Sequence, residues 1–194
     1  RTTTTYRKRS SGLTGRAQHA IGVSTLSGGL DWMYGSLEYD NSTDGPNSTL
    51  SDHWTGHQHQ VDLWSAVTTQ IRGRFRPDLS GRLSFVKGRS VQSAYNVGAI
   101  CDVAPLWQLK TGYGYAYRFP SIADQFARDT YNRGNPDLAS EITRTFVATI
   151  AFASSSGDFS AHLTGFRQRI SDLIQYQYDP SIFQYVPRNV NKFR

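Results

Sequence analysis

The feature that most constrains the fold of this chain is a strict alternation of side-chain character over residues 107–119. One set of positions is apolar apart from a single threonine, and it comprises Trp107, Leu109, Thr111, Tyr113, Tyr115, Tyr117 and Phe119. The positions between them are polar or small. Because side chains point alternately to the two faces of a strand, this pattern predicts a β-strand with one apolar face. Further strands are predicted at 61–75 and 146–152, with a bulge near Gly165 and Phe166, where the alternation slips.

The predicted strand at 61–75 is much longer than the strands of ordinary globular proteins. At about 3.3 Å per residue it spans roughly 50 Å, and when tilted it still exceeds the ~25 Å apolar band of an outer-membrane barrel. Aromatic residues gather at both ends of 107–119, as they do in interfacial girdles. A soluble β-sandwich is the alternative, but the strand length and the small, polar opposite face favour a transmembrane barrel.

The composition excludes the other fold classes. Glutamate occurs only at Glu38 and Glu141, whereas aromatic residues make up 13% of the chain and glycine occurs 17 times. This composition is typical of β-structure with many turns, and it excludes a helical bundle and a doubly wound α/β fold. No apolar stretch is long enough for a transmembrane helix. The net charge of +6 comes mostly from scattered arginines without a nucleic-acid-binding motif, so nucleic acid is not an expected partner.

The predicted connections between strands are of two kinds. Short turns are predicted at 27–29, 104–106 and 154–157. Long polar connections are predicted at 40–56, 120–142 and 177–184. Outer-membrane barrels have short periplasmic turns and long external loops, so the long connections are expected to face the cell exterior. The pattern as a whole predicts nine or ten antiparallel strands, of which the first, at 1–10, has the weakest signal.

Four motifs in residues 107–194 carry a resemblance to a known family. They read YGYAYRFPS at 113–121, GNPDLASEIT at 134–143, GFRQRISDLI at 165–174 and RNVNKFR at 188–194. Their order and spacing resemble those of the TonB-dependent outer-membrane receptors, and among these the cobalamin transporters are the most similar subgroup. Ser140 stands where the family usually has proline, and Asn191 where it has glycine. The first hundred residues are similar only in their barrel-strand character.

The resemblance implies a barrel of 22 strands around a plug domain. Residues 1–194 would then be a partial barrel domain, and we expect the plug domain and the C-terminal strands to be absent from this sequence. Receptors of this family are monomers in the bacterial outer membrane that take up a scarce metal chelate, such as siderophore-iron, haem or cobalamin. The TonB complex supplies the energy through the plug. The barrel performs no covalent chemistry, so neither an enzyme activity nor a cofactor is expected.

The candidate ligand contacts lie in the predicted external loops. In loop 120–142 they are Arg128, Tyr131 and Arg133, because arginine forks suit the carboxylate or phosphate groups of a chelate and tyrosine offers a flat surface with a polar tip. The second candidates, on the 177–184 hairpin, are Tyr176, Tyr178 and Tyr185. On the lumen side of 107–119, Lys110 and Arg118 are expected to offer hydrogen-bond donors to the plug.

One cluster contains residues that bind metals in other proteins, namely Asp52, His53, His57 and His59. His57 and His59 would share a face of a strand, which makes zinc or haem-iron ligation conceivable. Without cysteine partners, a solvated polar face is the favoured interpretation, and no metal site is predicted.

Two rival functions remain open from the sequence. The first is a small passive pore or adhesion barrel, which requires closure between residues 1–10 and 183–194. The second is a barrel hydrolase with a Ser/Asp–His arrangement in its external loops. Asp52, His53 and His57 are the only neighbouring residues that suit such an arrangement, and no nucleophile motif accompanies them. The four receptor-like motifs fit neither rival.

Overall fold

The structure, a computed structural model, describes residues 2–44, 49–71 and 74–191. These residues form ten strands and one short helix, α1 at Ile122–Phe126. The strands are β1 Thr2–Ile21, β2 Ser24–Asp44, β3 Thr49–Thr69, β4 Phe75–Val86, β5 Gln92–Ala104, β6 Trp107–Arg118, β7 Glu141–Ala153, β8 Ser160–Ser171, β9 Leu173–Asp179 and β10 Gln184–Val190. Within this part of the chain, no helix has the length and hydropathy needed to cross a membrane.

The first eight strands form one antiparallel sheet in which each strand pairs with the next strand along the chain. Strands β9 and β10 form a separate hairpin. Over the described residues the large sheet is open, with β1 and β8 at its two edges. These findings confirm the predicted all-β antiparallel architecture and the predicted number of strands.

The two faces of the sheet differ in polarity. We call the outer face the one that carries a continuous apolar row across β2–β7, made of Leu26, Val67, Leu79, Val97, Tyr113 and Phe146. Five of these six side chains are at least 36% exposed. The opposite, inner face carries polar side chains, among them Asp62, Ser84 and Gln108. A sheet with one exposed apolar face and one polar face is the predicted transmembrane arrangement.

The turns fall at two ends of the sheet. At one end, which we call the periplasmic end, are the short connections after β1, β3, β5 and β7. At the external end are the connections at 87–91 and 119–140 and the tip of the β9–β10 hairpin. The predicted short turns at 104–106 and 154–157 and the predicted long loop at 120–142 are therefore confirmed. The hairpin predicted at 177–184 is β9–β10, with its turn at 180–183.

The predicted turn at 27–29 is wrong. These residues lie inside β2, and the turn occurs at Gly22, whose φ of 58° suits glycine. Gly29 has a packing role instead of a role in a turn. The ring of Trp64 on β3 lies only 2.8 Å from where a Cβ atom of residue 29 would stand.

The predicted external loop at 40–56 is also wrong wherever the structure describes it. β2 continues to Asp44 and β3 begins at Thr49, while residues 45–48 lie outside the described residues. β2 and β3 each have 21 residues, or roughly 70 Å at about 3.3 Å per residue, so both project well beyond an apolar band of ~25 Å. The outer face of the projecting part is exposed to water instead of lipid, so its side chains there are polar.

Three further strand predictions need correction. The strand predicted at 61–75 ends at Thr69, and Phe75 begins β4; an isolated antiparallel bridge joins Ile71 to Phe75. The strand predicted at 1–10 is the beginning of β1. β8 pairs with β7 without a bulge at Gly165, whereas the irregular register lies between β5 and β6, near Asp102.

Candidate ligand-binding site at the external end of the sheet

The loop between β6 and β7 folds back onto the inner face of the sheet instead of extending outward. Its first element is α1, which begins with a reciprocal capping box. The hydroxyl of Ser121 accepts a hydrogen bond from the Asp124 backbone N–H at 3.1 Å, and the Asp124 carboxylate accepts one from the Ser121 backbone N–H at 2.8 Å. This pair fixes the start of the helix.

α1 packs on inner-face residues of β2 and β3. The side chains of Ile122 and Phe126 fill the space above Gly56, so that a Cβ atom at residue 56 would stand only 2.8 Å from Phe126 Cδ2. Beside them, Ala127 is buried against the stacked rings of Tyr39 and Trp54, whose centroids lie 5.7 Å apart. The absence of a side chain at Gly56 is therefore what allows the helix to approach the strand.

The next part of the loop is held by Asp52, which lies on the same face of β3 as Trp54 and Gly56. Its carboxylate accepts hydrogen bonds from the backbone N–H of Thr130 at 3.0 Å and from the Thr130 hydroxyl at 2.7 Å. Three alternate residues of one strand thus position the loop from α1 to Thr130.

The β9–β10 hairpin joins this loop through backbone hydrogen bonds. The Tyr185 N–H donates to the Tyr131 carbonyl at 2.7 Å, and the Arg133 N–H donates to the Tyr185 carbonyl at 2.9 Å. The Asn189 side chain accepts from the Ala139 N–H at 2.8 Å and donates to the Ala139 carbonyl at 3.0 Å. The loop and the hairpin therefore form one continuous surface, which we call the external cap (residues 119–140 and 173–190).

The base of the external cap is an ion-pair network. Arg118 donates to both oxygens of the buried Glu141, at 2.7 and 2.8 Å, and Glu141 also accepts from the Ile174 N–H at 2.7 Å. Tyr176 donates its hydroxyl to Asp124 at 3.1 Å. Burial, together with the nearby Asp124 charge, raises the pKa of Tyr176, so its hydroxyl stays protonated and remains a donor.

The hairpin tip is closed by Asp179. Hydrogen bonds from the side chain and backbone of Ser181 lower the pKa of Asp179, and its carboxylate accepts from Arg188 at 2.7 Å. The Asp179 carboxylate is therefore ionised at neutral pH and pairs with Arg188.

The structure brings most of the candidate ligand residues together on the external cap. Arg128 and Arg133 face each other across a backbone bridge, and both side chains are exposed. Tyr131, between them, is 72% exposed. Tyr178 and Tyr185 form an edge-to-face pair with centroids 5.5 Å apart on the adjoining hairpin. Two guanidinium groups and three tyrosine rings thus belong to one continuous surface. Tyr176 differs, because its hydroxyl already bonds Asp124.

Comparison with known proteins identifies the family. The family model described as "TonB dependent receptor-like, beta-barrel" matches residues 1–193. The chain belongs to this TonB-dependent receptor family. An iron-regulated outer membrane virulence protein of Vibrio cholerae serotype O1 is 26% identical over 162 residues, which cover 79% of this chain and 24% of that protein. This receptor barrel therefore lies in the bacterial outer membrane.

Solved structures match the fold of this receptor barrel. The copper transporter OprC superposes with a TM-score of 0.82 at 16% identity, covering 98% of this chain and 35% of that one. The siderophore receptor PirA from Acinetobacter baumannii gives a TM-score of 0.74 at 14% identity, covering 96% and 33%. The chain thus spans about a quarter to a third of the length of these relatives. The outer face contacts lipid in such a barrel, and the inner face lines the lumen.

The two residues predicted to meet a plug have different surroundings. Lys110 lies on the inner face towards the periplasmic end, in a concave region that Asp102 and Gln108 also line. Arg118 lies at the external end, where Glu141 occupies its guanidinium fork. The plug contact stays a prediction for both residues.

The predicted histidine cluster lies on the outer face of the sheet, whereas the external cap packs on the inner face. His53, His57 and His59 are on the outer face of β3, opposite Asp40, Ser36 and Tyr34 of β2. The structure therefore separates these histidines from Asp52, which faces inward. His53 Nδ1 lies 2.6 Å from Asp40, and Glu38 close by already pairs with Arg7 at 3.2 Å. His53 and Asp40 are both about half exposed, so this group is a charged surface in contact with water.

Sequence reasoning missed the residues that position the external cap. Arg89, in the turn after β4, donates to the Leu138 carbonyl and to Gln125 Oε1, both at 2.7 Å. Asp52 and Gly56 were equally unforeseen as supports. A sequence signal existed only for the helix start, where Ser121 precedes Asp124 by three residues in the spacing of a capping box.

Proposed function

We propose that the protein is an outer-membrane receptor that binds an anionic metal chelate on its external cap and takes it up with energy from the TonB complex. The observation that carries this proposal is the union of two separate loops into one surface over the lumen. Among the described residues, the side chains of Arg128, Arg133 and Tyr131 make no hydrogen bond or ion pair within that surface. Guanidinium forks bind carboxylate, catecholate or phosphate oxygens, and the tyrosines supply flat contact area.

The nature of the ligand draws support from the names of the similar proteins. One is iron-regulated, one is a copper transporter and one is a siderophore receptor. A chelate of iron or of another transition metal is therefore our proposed substrate class. Uptake of cobalamin or haem stays a prediction from the sequence resemblance.

We further propose that the eight-stranded sheet is part of the wall of a barrel of about 22 strands. The chain covers only 24–35% of the length of its relatives, which supports this proposal. The sheet also has two open edges among the described residues, and unpaired strand edges are not tolerated in lipid. A plug domain would fill the lumen of this monomeric receptor, contact Lys110 and Arg118, and transmit the pull of TonB.

Neither rival function gains support. A small closed pore needs pairing between the first and last strands, but among the described strands β1 pairs with β2 alone and β10 pairs with β9 alone. The hydrolase needs Asp52 and His53 in one site, whereas they lie on opposite faces of β3. The family to which the chain belongs consists of receptors.

The proposed function can be tested by uptake in a strain that lacks the chromosomal receptor gene. The full-length receptor is expressed from a plasmid, and the cells receive radiolabelled iron as ferric citrate, a ferric catecholate or a ferric hydroxamate. We expect surface binding and uptake of at least one chelate. In a matched strain without TonB, binding should persist while uptake falls to background.

Two results would contradict the proposal in different ways. Uptake that continues without TonB would indicate a passive pore. Failure of every ferric chelate to bind, despite normal amounts of receptor in the outer membrane, would contradict iron as the transported metal.

A further inference from the structure

The projecting part of β2 and β3 carries a group of metal-ligating side chains on its outer face. Glu38, Asp40 and His53 each bring one ligand atom, and these three atoms lie within 4.8 Å of one another. Among the residues that the structure describes, this is the only such group of three. It combines an imidazole nitrogen with two carboxylates, and such a ligand set suits divalent transition metals.

The strand register brings these residues together. Asp40 and His53 are directly opposite each other in the β2–β3 pairing, and Glu38 lies two residues from Asp40 on the same face of β2. Side chains that are directly opposite have Cβ atoms about 4.5–5.5 Å apart, so their ends can share one ion. In the sequence the neighbour of His53 is Asp52, which points to the inner face, whereas its neighbours in space are two carboxylates of the facing strand.

The distances fit a metal ion after small movements of the side chains. His53 Nδ1 lies 2.6 Å from Asp40 Oδ1. A tetrahedral ion with ligand bonds of about 2.0–2.1 Å separates its ligand atoms by roughly 3.4 Å. The Asp40–His53 contact therefore has to open by about 0.8 Å, and both side chains are about half exposed, so they can rotate.

The charge of the group also favours a cation. Glu38 and Asp40 bring two carboxylates to one side of the strand pair, and Arg7 on β1 pairs with Glu38 at 3.2 Å. The Arg7 side chain is 55% exposed, and exposed ion pairs of this kind are weak. A divalent ion that binds both carboxylates and the imidazole can therefore displace Arg7 from Glu38.

The group lies in the aqueous region above the apolar band. Asp40 and His53 are fourteen residues above Leu26 and Val67, which are opposite each other in the apolar row of the outer face. Fourteen residues of a tilted strand rise roughly 35 Å, whereas the apolar band is only ~25 Å high. A metal ion can therefore reach the group from the external medium.

A metal ion at this position would join the two strands that support the external cap. On the inner face at the same level, Tyr39 of β2 and Trp54 of β3 stack against Ala127 of the cap. An ion shared by both strands would hold these two supports at a fixed separation. The group itself lies on the outer face, away from the lumen, so its test does not depend on the chelate or on its uptake.

We propose that Glu38, Asp40 and His53 bind a divalent transition-metal ion such as Zn²⁺, which links β2 to β3 above the membrane. Water completes the coordination of the ion. The imidazole ligand favours a transition metal over Ca²⁺ and Mg²⁺, because these two ions prefer oxygen ligands.

The test is Zn²⁺ binding to the purified full-length receptor without a histidine tag, measured by isothermal titration calorimetry. The variants His53→Ala and Asp40→Ala each remove one ligand. Loss of a residue that only supports a metal ligand typically costs roughly 10–100-fold in affinity, so loss of a ligand itself is expected to weaken binding about a hundredfold. Arg7→Gln should have the opposite effect and strengthen binding by up to about fivefold, because it releases Glu38 from its ion pair.

Two control variants remove the same residue types elsewhere. His59→Ala removes a histidine from the same face of β3, and Asp158→Ala removes an exposed aspartate from the turn after β7. Both should bind Zn²⁺ as the wild type does, and an excess of Ca²⁺ should not displace the Zn²⁺. Heat-modifiable gel mobility checks folding, and Glu38→Gln, with an expected loss of about tenfold, replaces a variant that does not fold.

Four results would overturn the proposal. They are a wild-type receptor that binds no Zn²⁺, wild-type affinity in the ligand variants, an equal loss of affinity in the controls, and displacement of the Zn²⁺ by Ca²⁺.

Discussion

Replacing both Arg128 and Arg133 with glutamine is expected to weaken chelate binding by the full-length receptor about a hundredfold. A hydrogen bond to a charged group contributes roughly 1.5–3 kcal/mol, and the loss of two such contacts at about 1.5 kcal/mol each gives this factor. The two residues support the external cap through their backbone bridge and through the Arg133 N–H, so the substitutions should leave the loop in place.

The measurement is titration of the tightest-binding ferric chelate by intrinsic tryptophan fluorescence. The matched control is Arg7→Gln/Arg9→Gln, which removes the same charge from the outer face of β1 and should bind normally. An Arg128→Lys/Arg133→Lys variant should show an intermediate loss, because it keeps the charge without the planar fork. Wild-type affinity in the glutamine variant would contradict the assignment of the ligand site.

Replacing Gly56 with leucine is expected to detach α1 from the sheet. A leucine side chain would occupy the volume of the Ile122 and Phe126 side chains. Overpacking of this kind costs about 1–3 kcal/mol, which corresponds to a rise of roughly 5- to 150-fold in the detached population. Because α1 leads directly into the segment at 127–133, chelate affinity should decline with it.

Limited proteolysis of intact cells with trypsin measures the detached population, since Arg128 and Arg133 become cleavable when the loop leaves the sheet. Gly81→Leu serves as the control. It places the same side chain on the outer face of β4, where only one backbone atom, at 3.9 Å, lies near the added Cβ. Cleavage of Gly56→Leu at the wild-type rate would show that α1 does not depend on this contact.

The strands that span the apolar band could be predicted from the sequence because the membrane imposes a different polarity on each face. The unbroken alternation at 107–119 therefore predicted β6 almost to the residue. Beyond the band this signal vanishes. At 40–56 the outer face meets water instead of lipid, so the long ends of β2 and β3 have the composition of a loop. The alternation at 61–75 misled the prediction in the opposite direction, because it continues from β3 into the first residue of β4.

The candidate ligand residues could be chosen from the sequence, whereas the residues that support them could not. Arginine and tyrosine in a long polar loop indicate ligand contact by residue type alone, and the structure joins the two predicted groups on one surface. The contact between Asp52 and Thr130 links residues 78 positions apart, and no local pattern indicates it. The role of Gly56 could not be predicted either, because a glycine that makes room for a helix is indistinguishable in sequence from a glycine in a turn.

The most direct test of this account is a disulfide cross-link between the loop and the inner face of β3. The variant is Asp52→Cys/Thr130→Cys in a Cys101→Ala background, oxidised in intact cells. The control is His53→Cys/Thr130→Cys, which moves one cysteine by a single residue to the outer face. The account predicts a fast cross-link for residues 52 and 130 and none for residues 53 and 130. A cross-link only from residue 53, or from neither residue, would contradict the placement of the external cap over the lumen.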